Sequence, residues 1–187
     1  MRSIGLALAV CGAFTATAAA QHAGHMKQDA KPVATATAEI KGDGVTGTAT
    51  FSEVKHGSGS AVHVELTVSG LKPGMHGVHL HAVGKCEPPF TSAGGHFDPG
   101  PAGNTDPDAN HPFHLGDLPN LVVGEDGKGT LSAVTTRVTL TDSLVTVFDA
   151  DGTAIIVHGN PDQGTTGAPK SGVSGGPRAA CGVLTKK

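Results

Sequence analysis

The chain has no tryptophan and no tyrosine, and six phenylalanines are its whole aromatic complement. It therefore lacks the aromatic stacking platform by which nucleic acids are held, and no stripe of basic residues replaces it. With a formal net charge of -3, no nucleic-acid partner is expected. Charged residues make up only 16% of the chain, against 28 glycines and 12 prolines. That balance implies many turns around a core of small and β-branched side chains, and an all-β domain fits it better than a helical one. The apolar segment 4–10 is too short for a stable membrane span. It follows Met1-Arg2-Ser3 and precedes the small residues Ala18-Ala19-Ala20, the order of a signal peptide. Residues 1–20 are thus expected to be a removable leader, and the protein to be periplasmic or otherwise exported, with no membrane partner.

Cysteine is scarce too. Of three, Cys11 leaves with the leader; a lipidated Cys11 is the weaker reading, because Val10 is larger than the residue wanted before such a site. Cys86 and Cys181 remain. An even pair in an exported chain reads as a disulfide, with two buried free thiols as the alternative. The bond would tie a long central loop to the last strand. Loss of the leader removes Arg2 and no acidic residue, leaving the domain one unit more negative.

Histidine, by contrast, is abundant at eleven residues. His22 and His25 stand with Met26 in a polar tail, 21–32. Imidazole and thioether both suit copper, and an incidental cluster in a disordered terminus reads equally well. The domain proper is expected over 33–187. Strand patterns fall at 33–41, 45–53, 61–68, 76–81, 121–123, 129–140, 144–148, 154–158 and 181–184, with Gly-rich turns between them. His56 sits in a turn and His63 on the polar face of 61–68, so both read as solvated.

The segment 76–81, His-Gly-Val-His-Leu-His, is different. Side chains on a strand alternate, so His79 and His81 share one face while Val78 and Leu80 take the other. Two rings at i, i+2 on a rigid strand make half of a metal site, or else an exposed face that happens to carry histidine. Two long irregular stretches, 84–119 and 159–179, hold the remaining chemistry. The first carries Cys86, His96, His111, His114 and Asp117. A loop of that length within a compact domain is functional or disordered, and this density of ligand side chains favours function. About eight short antiparallel strands with two long functional loops define a Greek-key β-sandwich or flattened barrel.

Five stretches, in order, carry a resemblance: Gly77-Val78-His79-Leu80-His81, Gly94-Gly95-His96-Phe97-Asp98-Pro99, His114-Leu115-Gly116-Asp117-Leu118, Val157-His158, and Gly176-Pro177-Arg178-Ala179-Ala180-Cys181-Gly182-Val183. Together they resemble the copper/zinc superoxide dismutase family in its bacterial exported form, over about residues 40–184. The resemblance implies copper and zinc as cofactors and superoxide as substrate, dismuted to dioxygen and hydrogen peroxide. It implies His79, His81 and His158 as copper ligands, with His96 bridging copper to zinc and carrying a proton. It makes His114 and Asp117 zinc ligands, and Asp162 a carboxylate hydrogen-bonded to ligands of both metals. His76 becomes a structural histidine bonded to backbone, and Arg178 the charge beside the open copper position. Because the net charge is negative, attraction must be local, and nearby Lys170 in the second loop is expected to add to it. A homodimer is compatible with the resemblance, which does not fix its surface.

The chain departs from the family at one ligand. A second zinc-only histidine is expected about eight residues after the bridge, where this chain has Asn104. His111, three residues before His114, is the substitute; a solvated loop histidine is the alternative, leaving a copper-only pocket. An exported copper carrier on the same fold is the rival function, favoured by the His/Met tail and the altered zinc motif.

Overall fold

Alternation builds the barrel wall. In the computed structural model, which describes residues 31–99 and 106–187, β3 (Gly59–Ser69) buries Val62, Val64, Leu66 and Val68 and exposes Glu65 and Thr67. β6 (Lys128–Thr135) repeats the pattern with Leu131, Ala133 and Thr135 inward. The other strands are β1 (Ala34–Gly42), β2 (Thr46–His56), β4 (Gly74–His81), β5 (Asp117–Val123), β7 (Ala154–His158), β8 (Arg178–Val183) and β9 (Thr185–Lys186). Their order is β2-β3-β6-β5-β4-β7-β8-β1, and β1 also pairs with β2, so the sheet closes on itself. Closure leaves the eight long strands no free edge. Because β6 lies beside β3 while β4 and β5 follow β3 in sequence, the connection is a Greek key. The barrel and the Greek-key expectation agree.

β4 and β7 differ from the rest in being buried on both faces. From His76 to His81 every residue of β4 is buried, as is all of β7. Val78, Leu80, Ile155 and Val157 join the main core with Phe51, Leu66 and Leu121. Their opposite faces are covered by the two long loops. There Phe90, Ala93, Ala154, Ile156 and Cys181 make a smaller apolar cluster beside Cys86. The Cys86–Cys181 disulfide, with Cα atoms 5.6 Å apart, closes the packing of the first loop onto β8.

Several boundaries depart from the sequence reading. β5 begins at Asp117, inside the stretch expected to be loop, and β8 begins at Arg178, so this arginine is a strand residue. The expected strand 129–140 ends at Thr135, and 144–148 is no strand. At 140–141 the chain is held by Glu53, whose buried carboxylate accepts the N–H groups of Leu140 and Thr141, both at 2.7 Å, and the Thr141 hydroxyl at 2.9 Å, while Thr139 pairs locally with Val145 and Val147. Backbone donors spent on a side chain cannot serve a ladder. Val138, Leu140 and Val147 still reach the core, but as an irregular plug. Among the described residues the helical structure is a 3-10 turn at Thr91–Ala93, and no helix is long and apolar enough to cross a membrane. The expected leader, His22, His25, Met26 and Asn104 lie outside the described residues.

Candidate metal centre

Strand register assembles the site. Across the β4–β5 ladder His79 faces Asp117, and across β7–β8 His158 faces Arg178, with a bulge at Val157/His158 that re-aims the ring. His81 is bridged to His96 by the first loop, and Phe97 donates its N–H to the Leu80 carbonyl at 2.8 Å. The rings of His79, His81, His96 and His158 are thereby buried together, their ligand atoms within 4.8 Å of one another.

Hydrogen bonds decide which nitrogen each ring presents. His79 donates from Nε2 to Asp162 Oδ2 at 2.8 Å, leaving Nδ1 bare. His81 donates from Nδ1 to the Gly94 carbonyl at 3.0 Å, and His158 from Nδ1 to that of Gly176 at 3.1 Å. His96 places Nδ1 at 2.7 Å from Asp117 Oδ1. Each acceptor is a carbonyl or a carboxylate, so each bonded nitrogen carries the proton and its partner keeps a lone pair. Those partners, His79 Nδ1 and Nε2 of His81, His96 and His158, are buried without a hydrogen bond. Four orphaned lone pairs converging on one point fit a bound cation.

A second set of ligand atoms within 4.8 Å of one another comes from His79, His96, His111 and Asp117, with His114 beside it. His111 is fully buried: Nε2 donates to Asp162 Oδ1 at 2.6 Å, while Nδ1 stands unbonded 3.2 Å from Asp117 Oδ2. His114 keeps both ring nitrogens unbonded, with Nδ1 3.3 Å from the same oxygen. The solvated alternative for His111 is therefore wrong. Asp162 spans the two sets, one oxygen on His79 and the other on His111. Its own backbone is held by Asn120, whose amide donates to the Asp162 carbonyl at 2.8 Å and accepts its N–H at 2.9 Å.

Charges follow this geometry. Burial pushes His79, His81 and His158 below the ordinary imidazole value, and His81 and His158 well below it. His96 is lowered to about 4, burial outweighing its bond to Asp117. Burial also opposes the charged form of His111, but contacts with Asp117 and Asp162 prevail and push it up to about 9. Burial would raise Asp117 and Asp162; the facing histidines instead hold both below the usual carboxylate range. The second set thus places a basic imidazole between two ionised carboxylates, a donor mixture that suits a divalent cation.

Arg178 is half-buried, with Nη1 on the Phe90 carbonyl at 2.6 Å and Nη2 on that of Gly94 at 2.5 Å. The Gly94 carbonyl thus fixes both Arg178 and His81. His76 sets its ring nitrogens on the carbonyls of His158 (2.8 Å) and Lys72 (2.9 Å). Lys170 is exposed in the second loop. Sequence reasoning missed Asp108, whose carboxylate accepts the N–H and hydroxyl of Ser174, and Arg137, which donates to the carbonyls of Pro112 (3.3 Å) and His114 (2.9 Å). Neither lies within a ligand motif.

A closed antiparallel barrel carrying two adjoining side-chain sets that could hold metal ions, one all-imidazole and one of imidazole and carboxylate, both including His96, defines a class: metal-binding β-barrel proteins. Within that class the chain belongs to the copper/zinc superoxide dismutase (SODC) family, whose model matches residues 45–184. It is 44% identical to "Superoxide dismutase [Cu-Zn]" of Deinococcus radiodurans over 151 residues, 75% of this chain and 77% of the relative. It is 40% identical to the Caulobacter vibrioides protein of the same name over 157 residues, 80% and 84% of the two chains. The clock protein EA4 structure superposes with a TM-score of 0.66 at 28% identity, covering 82% of this chain and 94% of that one.

Proposed function

We propose that this protein dismutes superoxide with copper held by His79, His81, His96 and His158, and with zinc held by His96, His111, His114 and Asp117. Membership of the copper/zinc superoxide dismutase family supports the reaction and both metals. The single observation that carries the ligand reading is the convergence of unbonded ring nitrogens: His79 Nδ1 with Nε2 of His81, His96 and His158 in one set, and His111 Nδ1 beside Asp117 in the other, with His114 Nδ1 3.3 Å from the same carboxylate. Bound copper supplies a one-electron acceptor and donor, by which two superoxide anions become dioxygen and hydrogen peroxide. His96 would turn Nε2 to the copper set and, once Nδ1 gives up the proton it donates to Asp117, Nδ1 to the zinc set. Its Nε2 could then hold a proton and hand it to the peroxide formed, solvent supplying the other. Arg178 draws in the small anion, its guanidinium held in one orientation by two carbonyls, which a lysine would not reproduce. Asp162 holds His79 and His111 by their Nε2–H groups, fixing both rings.

His111 takes the place left by Asn104: with Nε2–H on Asp162, its Nδ1 is the free ligand atom. We infer export to the periplasm or beyond from the 1–20 leader pattern, and the Cys86–Cys181 disulfide suits an oxidising compartment. The tail histidines His22 and His25 with Met26 would then collect copper from dilute solution. The test is the superoxide decay rate of copper- and zinc-loaded protein against Arg178→Ala. Fast decay that Arg178→Ala slows at least several-fold, without loss of copper, is expected; slow decay indifferent to the substitution would identify a copper carrier instead.

A further inference from the structure

Asp108 is only 3% exposed, although it belongs to a loop and to no strand. Its Oδ1 accepts the Ser174 N–H at 3.1 Å and the Ser174 hydroxyl at 2.8 Å, and its Oδ2 accepts the Gly172 N–H at 2.8 Å. Its carbonyl accepts the Gly167 N–H at 2.9 Å. Burial would raise this carboxyl, but the three donors on it hold it below its ordinary value. One charged side chain thus fastens the loop before β5 to the loop before β8.

Two branches leave this clamp. Three residues on is His111, whose carbonyl accepts the Thr166 hydroxyl at 2.6 Å and whose Nε2 reaches Asp162. In the other direction Ser174 pairs with Asp162. The Ser174 carbonyl crowds Gly77, where a Cβ would lie 3.3 Å from that oxygen and 3.2 Å from His79 Cε1. Next comes Gly175, so close to His158 that a Cβ there would sit 2.7 Å from the His158 Cβ, and then the Gly176 carbonyl that binds His158 Nδ1–H. Segment 172–176 walls the all-imidazole set, and segment 108–111 walls the mixed set.

We propose that Asp108 is a positioning residue that couples the two metal subsites, aiming His111 on one side and pressing segment 172–176 against His158 on the other. The proposal rests on the reading of His111 as a zinc ligand. A loop staple with no such role would lower stability and leave the metal spectra alone.

The experiment uses the full chain, cobalt(II) as the probe of the mixed subsite and the copper(II) EPR spectrum for the other. Asp108→Asn keeps the shape but sets an amide N–H against backbone donors. Cobalt affinity should fall roughly 10- to 100-fold, and the copper hyperfine splitting should shift at unchanged copper content. Parental cobalt affinity and EPR with a lower melting temperature overturn the proposal. His111→Ala, measured alongside, separates the two readings. If it abolishes tetrahedral cobalt absorption while Asp108→Asn changes nothing, the coupling is wrong and the ligand stands. If Asp108→Asn weakens cobalt while His111→Ala does not, His111 is no ligand and the aim assigned to Asp108 on that side falls with it. Should Asp108→Asn fail to fold, Ser174→Ala removes one of the three bonds, and parental values for both probes there overturn the proposal equally.

Discussion

Removing the Cys86–Cys181 bond should damage the arginine before it damages the copper ligands. The bond closes a separation of 95 residues, and in the chain-entropy model its loss costs about 4.7 kcal/mol, an upper figure because reduced chains keep residual structure. What remains of the first loop's anchoring is uneven. Residues 93–97 stay on the end of β4 and the two residues after it through Ala82 N–H to Gly95, Val83 N–H to Ala93 and Phe97 N–H to Leu80. Residues 85–90 keep the burial of Phe90 and the Arg178 bond to its carbonyl. Arg178 therefore loses the rigidity of one of its two acceptors, whereas His79, His81 and His158 keep every hydrogen bond. Copper would reoxidise free thiols, so the perturbation is the Cys86→Ala/Cys181→Ala double variant. Denaturant midpoints should report a loss approaching that figure. Superoxide decay at saturating copper should slow several-fold, with a parental copper stoichiometry. A variant that is less stable yet turns over at the parental rate would refute the positioning argument and leave the disulfide a purely global brace.

Glu53 lies away from the ligand sets and gives a clean pH prediction. Its burial would raise the carboxyl, but Ser60, Thr141 and Leu140 donate to it and hold it below its ordinary value. A depressed carboxylate stabilises the fold above the unfolded-state value, and that contribution fades as pH falls through the folded one. Glu53→Gln should be less stable at neutral pH and approach the parent in acid; parallel stability curves would contradict this. Gly175→Ala introduces a Cβ 2.7 Å from that of His158, at a φ of +104° that disfavours any side chain. Weaker copper binding and an altered EPR signal are expected, and parental copper affinity would count against the close packing. Leu80→Ala, truncating a fully buried core residue between His79 and His81 of β4, should cost roughly 2–5 kcal/mol in thermal or denaturant unfolding.

The alternation of β3 and the paired faces of β4 were legible because strand side chains alternate between faces, whether one face is buried, as in β3, or both, as in β4. Val62 to Val68 and His79/Val78 follow this alternation. Apolar content without a ladder misled at 136–148: Val138, Leu140 and Val147 are buried, yet Glu53 takes the N–H groups of Leu140 and Thr141, and Thr139 bonds locally to Val145 and Val147. The start of β5 was obscured because Asp117 and Pro119 read as turn residues, although Asp117 sits opposite His79 in register. Most ligand candidates were legible through their motifs. Asp108 and Arg137 were not, since each acts on backbone groups brought near by folding, and a one-dimensional pattern carries no trace of that. Even the exchange of Asn104 for His111 was visible only as a vacancy with a nearby imidazole; its partnership with Asp162 required the fold.

Crystals of the copper- and zinc-loaded protein, measured at both absorption edges, give the most direct test. A zinc peak about 2.0–2.1 Å from His111 Nδ1, shared with His96, His114 and Asp117, and a copper peak among His79, His81, His96 and His158 are predicted. Zinc bound with His111 beyond bonding distance, or copper alone among the imidazoles with no metal at the Asp117 set, would contradict the two-metal centre described for this chain.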